Sequence, residues 1–149
     1  MRTGPLRMII RLMSSKIGRR VWSNTLQDDL VAPNEIVHTY PDEPAGDSGP
    51  EAAKGFVTAA RTSWPDIQAT VESQIAEGDL VTTRWTLSGT YQGGDPTLPD
   101  TAIGKRVTMT GMSINRFEGG KSVESWNEPD RLGMLQQLGV IPVAQQASA

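Results

Sequence analysis

The chain has no cysteine and only one histidine in its 149 residues. The first absence excludes disulfides, thiolate catalysis and cysteine-ligated zinc or iron–sulfur centres, and it fits a reducing, cytoplasmic setting. The second excludes a multi-histidine metal site built within one chain. No apolar run approaches the roughly 20 residues that a membrane-spanning helix needs. Internal repeats and a phosphate-cradling glycine loop are also lacking. Acid is missing from residues 1–27, which hold Arg2, Arg7, Arg11, Lys16, Arg19 and Arg20, so the remainder carries 8 basic against 17 acidic residues. An acidic body of this kind argues against nucleic acid as a partner.

What is present fits one domain over residues 1–142, long enough to bury about two thirds of its unfolded surface. Leu6, Ile9, Ile10, Met13, Ile17 and Val21 recur at three- and four-residue spacing, which predicts a basic amphipathic helix over 1–24. A transit peptide is the alternative for this basic, serine-containing segment. "LQDDLVAP" reads as a short capped segment ending before Pro33, and "NEIVHTY" as an extended stretch holding His38. The acid-, proline- and glycine-rich 41–50 is a loop. Pro50 then suits the first turn of a helix whose apolar stripe is Ala53, Phe56, Val57, Ala60 and Trp64, with Pro65 ending it.

From Ile67 the period changes to two. Strands are expected at Ile67–Ile75, Leu80–Thr90, 106–117 and 122–127, with turns at Glu77-Gly78-Asp79 and at "EGGK". Residues 93–105 form a long turn-rich loop. A last helix, "RLGMLQQLG", follows Asp130 and stops at Gly139, and 143–149 read as a disordered tail. The order predicts an α+β fold in which a curved sheet wraps helices and encloses a pocket. A sheet face alternating Thr, Val, Met and Ile needs cover that one chain of this size has few helices to give, so a homodimer is expected.

The segment "KSVESWNEPD" sets Trp126 among Glu124, Glu128 and Asp130. Asp130 either caps the last helix or stands as a carboxylate at the mouth of an apolar pocket. His38 is the one side chain able to change charge near neutrality, or else a half-buried strand-end residue. Trp85 and Arg84 alternate, so at most one faces a pocket; core packing for Trp85 and a cross-strand ion pair of Arg84 with Glu72 or Glu124 are the plainer readings. Asn115 shares a strand face with Met109, Gly111 and Ser113, and is either a carbonyl-binding residue or an edge polar one. The methionines read as core or pocket lining.

Pro65-Asp66, Glu77-Gly78-Asp79, Arg84-Trp85, Gly89-Thr90, Arg116-Phe117, Glu124, Trp126, Asp130 and the ending Gln-Gln-Leu-Gly stand in an order that resembles the SnoaL-like polyketide cyclase (ester cyclase) family of the NTF2-like superfamily, over residues 30 to 142. The resemblance implies a cone: a strongly curved antiparallel β-sheet wrapped around N-terminal helices, with an internal apolar pocket. It also implies cofactor-independent, metal-free ring closure of a small apolar, carbonyl-rich ligand by intramolecular aldol condensation, or related lyase/isomerase chemistry. Asp130 matches the acid/base position and His38 a place where relatives often carry histidine; Asn115, Trp126, Trp85, Tyr91 and Arg84 would contact substrate. Many relatives have histidine where Asn115 and Tyr91 stand here. A non-catalytic ligand-binding or dimerisation module is a second reading. An epoxide-hydrolase-like constellation of Asp130, Arg84, Asn115 and Tyr91 is a third.

Overall fold

A computed structural model describes residues 27–38 and 48–143. The expected basic helix at 1–24, residues 41–47 of the expected loop and the tail beyond 143 lie outside the described residues. Helix α1 (Gln27–Leu30) leads into strand β1 (Val31–His38). Helix α2 (Gly49–Ser63) follows, with Pro50 in its first turn as the sequence predicts. Its final turn closes through Trp64 N donating to Ala60 O at 2.8 Å, and Pro65 prevents another.

Strands β2 (Gln68–Glu77), β3 (Leu80–Thr90), β4 (Arg106–Glu118) and β5 (Lys121–Pro129) precede helix α3 (Arg131–Gln137). The sheet order is β1-β5-β4-β3-β2. Three pairings are antiparallel; β1 runs parallel to β5 and makes the sheet mixed. Pro33 therefore lies inside a strand rather than ending a helical segment. The ladder pairs Val31 with Ser122 and next Ile36 with Glu124, so the residue without an N–H falls in the irregular stretch between. Further irregularities at Val71/Ser73 and at Arg116/Phe117 bend the sheet. Gly119 and Gly120, with φ of 57° and 86°, make the two-residue turn between β4 and β5.

β4 extends beyond the end of β5, and its exposed backbone there is met by side chain and cap instead of strand. Asp130 N donates to Thr110 O at 2.9 Å. The Gln137 amide then behaves as a strand would: Oε1 accepts from Thr108 N and Nε2 donates to Thr108 O, both at 2.9 Å. This docks α3 on the sheet and completes a core of Tyr91, Ala102, Val107 and Leu138, with Trp64, Met109 and Met134 packed on it. No helix among the described residues is long and apolar enough to cross a membrane.

Candidate functional site

Alternation along β4 places Val107, Met109, Gly111, Ser113 and Asn115 on one face. Their partners on β3 are Gly89, Leu87, Trp85, Thr83 and Val81. α2 and α3 cover one end of this face and leave a cavity of about 310 Å³. Phe56 and Ala60 of α2, Trp64 just after it, Leu87, Met109 and Met134 form its apolar walls. Asp95 is the one ionisable residue among the described residues that line it. Tyr91, 1% exposed, lies behind the wall with its ring tilted against Trp64 at 5.2 Å. Its hydroxyl donates to Asp95 O and accepts from Asp95 N, each at 3.2 Å, which fixes the loop at the cavity.

Past Met109 the same face becomes polar. The Trp85 indole N–H donates to Ser113 Oγ at 2.8 Å, and Ser113 Oγ donates to Asn127 Oδ1 at 2.8 Å. Gly111 makes this possible, since a Cβ there would lie 2.3 Å from the Trp85 ring. Further along, Asn115 Nδ2 donates to Ser122 Oγ at 3.2 Å and Ser122 Oγ donates to Glu35 Oε1 at 2.5 Å. Glu35 is 7% exposed. Burial raises its pKa above 4.5, partly opposed by hydrogen bonds from Ser122 and Ser125. Such a face offers an apolar end for a hydrocarbon group and, beyond it, the amide N–H groups of Asn115 and Asn127 that these bonds leave over for a carbonyl oxygen.

The expected site residues divide between surfaces. Trp85 and Asn115 stand on the cavity face, and Tyr91 is core behind the cavity. Asp130 is exposed at the head of α3, where its Oδ1 accepts from Gly133 N at 2.8 Å, and its carbonyl accepts from Met134 N one turn into the cavity wall. His38 and Trp126 are cross-strand partners on the opposite, outer face, stacked 4.8 Å apart with ring planes 3° from parallel. Trp126 is thus not placed beside Asp130 as a pocket wall. The physical reason is register: it pairs with Ile114, and Ile114 points away from the helices. His38 Nε2 meets Glu124 Oε1 at 2.8 Å, and Arg116 Nε donates to Glu124 Oε2 at 3.0 Å. The His38 bond first, then Arg116, holds the Glu124 carboxyl below its usual range. Arg84 is also on the outer face, opposite Met112, while Glu72 accepts from Thr86 Oγ1 at 2.7 Å and Glu124 is engaged as described. Asp130, Arg84, Asn115 and Tyr91 are therefore not brought together.

Asp95 in the cavity lining, and Glu35, Ser113 and Asn127 on the polar stretch beyond it, are positions that sequence reasoning passed over as candidates. A period-two reading of "NEIVH" would have set Glu35 opposite Ile36, and the "GGDP" loop gives no such signal for Asp95.

The model of the SnoaL-like polyketide cyclases matches residues 16–138. The chain belongs to the SnoaL-like polyketide cyclase family. The match begins earlier than the resemblance read from motifs, inside the basic segment. Comparison with curated proteins finds no match. Solved structures are similar over nearly the whole chain. IdmH of Streptomyces antibioticus, assigned as a polyketide cyclase, is 26% identical with TM-score 0.70, covering 91% of this chain and 99% of its own. A protein of Jannaschia sp. CCS1, assigned as a SnoaL-like polyketide cyclase, is 17% identical with TM-score 0.77, at 95% and 99% coverage. TsrD of Streptomyces laurentii is 21% identical with TM-score 0.76, also at 95% and 99%. The α+β, NTF2-like cone of this family is the fold described above. Among the described residues, no three His, Asp or Glu side chains gather as a metal site.

The buried acid of this SnoaL-like chain has a measurable consequence. A carboxyl whose pKa is raised by folding disfavours the fold when ionised, and this cost vanishes as pH falls below 4.5. Glu35→Gln, which keeps an acceptor for Ser122, should raise unfolding free energy at pH 7 by on the order of 1 kcal/mol and lose that gain below the ordinary glutamate range. Denaturant titrations at pH 7 and pH 4 check it; a less stable variant at pH 7 contradicts it.

Proposed function

We propose that the protein is a cofactor-independent cyclase closing a ring in a small, apolar, carbonyl-rich molecule by intramolecular aldol condensation. The observation that carries the reading is the apolar cavity adjoined, along the same face of β3 and β4, by the polar Trp85–Ser113–Asn127 and Asn115–Ser122–Glu35 groups. The apolar walls bind and fold the chain of the substrate, so that a carbanion and a ketone meet. A methylene between two carbonyls is already acidic, which leaves little for the protein to supply besides positioning and proton transfer. Asp130, at the head of the helix whose Met134 lines the cavity, is the carboxyl at the acid/base position of the family resemblance, able to take the methylene proton or to give one to the alkoxide. The binding-module reading would use the same cavity without turnover.

An aryl-capped 1,3,5,7-tetraketone, whose first flanked methylene closes on the far terminal ketone and dehydrates to an acyl resorcinol, tests this directly. The protein should accelerate ring closure, and Asp130→Asn should slow it by roughly two to four decades. Asparagine caps helices about as well as aspartate, so the melting temperature should stay nearly unchanged. Binding without acceleration would establish the binding module instead.

We also propose that the outer face joins two copies of the chain. The cross-sheet row Ile75–Thr82–Ile114–Trp126–His38 runs over it, and Ile75, Ile36 and Met112 are 72%, 55% and 49% exposed. Leu80 adds to the same apolar surface. Sedimentation at micromolar concentration should give a dimer that Ile114→Glu dissociates; a wild-type monomer contradicts the proposal.

A further inference from the structure

We propose that Asp95 is the general base of the cavity, the residue that removes the carbon-bound proton; this rests on the reading of the cavity as the substrate site. Three observations place it there. Asp95 is the ionisable residue among the described residues lining a mainly apolar cavity, whose other polar side chains are the hydroxyls of Ser63 and Ser88. Its backbone is held on both sides by the hydroxyl of the fully buried Tyr91. Its carboxylate is oriented by one oxygen only: Oδ1 accepts from Thr97 N at 2.8 Å and from Thr97 Oγ1 at 2.6 Å. Oδ2 has no protein partner among the described residues. A carboxylate with one oxygen anchored and the other free is prepared to accept a proton without first breaking a hydrogen bond, and a base must sit within hydrogen-bond reach of the proton it takes.

In the step, Asp95 Oδ2 forms an O–H bond with the substrate methylene proton, and the C–H pair becomes the enolate. The enolate carbon bonds to the ketone carbon, the carbonyl π pair moves to oxygen, and the alkoxide takes the proton of Asp130. The Asp95 proton passes through water to Asp130, which restores both carboxyls with no net proton change. No oxidant or further reactant is needed.

The test uses 5-nitrobenzisoxazole, a small bicycle in which a base removes the ring C–H proton, the C–H pair forms a nitrile, and the N–O bond breaks to release a coloured phenolate. The reaction reports a carboxylate in an apolar site without knowledge of the natural substrate. The wild type should accelerate phenolate release. Asp95→Asn, which keeps the Oδ1 acceptor for Thr97, should lower the rate at least tenfold, whereas Asp100→Asn, an exposed acid in the same loop, should not. Binding of the neutral fluorophore N-phenyl-1-naphthylamine is measured in parallel with a cavity-filling Ala60→Phe variant. Fluorophore binding that Ala60→Phe abolishes, together with the Asp95→Asn loss, supports the proposal. Binding in the cavity with an unchanged Asp95→Asn rate, or with no wild-type acceleration, overturns the base assignment alone. Absence of fluorophore binding, or binding indifferent to Ala60→Phe, overturns the cavity reading and the base with it.

Discussion

The parity of residues along β4 decides what nearly every other side chain faces. This strand is paired with β3 along its length and with β5 over its second half, so its alternation is copied across the sheet. Odd-numbered residues from Val107 to Asn115 look toward α2 and α3, and even-numbered ones from Met112 to Arg116 look outward. A shift by one residue would exchange the cavity wall for the His38–Trp126–Glu124–Arg116 group. The Gln137 side chain protects this strand where β5 ends, and Asp66 does similar service at the other edge of the site. Its carboxylate accepts from Thr90 N at 2.6 Å and Thr90 Oγ1 at 2.8 Å, with Arg106 Nη1 at 3.2 Å from Oδ2.

Two carboxyls mark the difference between the frame and the interior. Thr90's backbone N–H, followed by its hydroxyl, holds Asp66 below the ordinary aspartate range, so its ionised form supports the fold above that range and the support is lost as pH falls below it. Glu35 is displaced upward by burial and opposes the fold when ionised. Retaining a group that costs stability is characteristic of functional interiors, where local consistency yields to chemistry.

Much of the frame was legible in the sequence because its signals are local. The two-residue turns at Gly78 and Gly119-Gly120, Pro50 and Pro65 around α2, and the opposition of Arg84 and Trp85 all follow from neighbours in the chain. The motif residues also find their reason in pairs: Asp66 bonds Thr90, Asp79 O accepts from Phe117 N at 2.9 Å, and Arg116 pairs with Glu124. What was not legible depends on register between distant strands. The side taken by Trp126 is set by pairing with Ile114 beyond an irregularity at Arg116/Phe117. The start of β1 at Val31 requires β5 beside it, which overrides Pro33. Asp95 reads as a turn former, which it is, and only packing of the loop against α2 and Tyr91 makes it a cavity residue.

The central claim is that the cavity between Trp64, Met109 and Met134 receives an apolar ligand with its carbonyl groups directed at the protein's polar atoms. A crystal structure of the protein with an aryl 1,3-diketone measures it most directly. The account predicts the aryl ring between those three side chains and a diketone oxygen or methylene within about 3.5 Å of Asp95 Oδ2 or of the Trp85–Ser113–Asn127 strip. A cavity that stays empty at saturating ligand, or ligand bound only on the outer face, would contradict it.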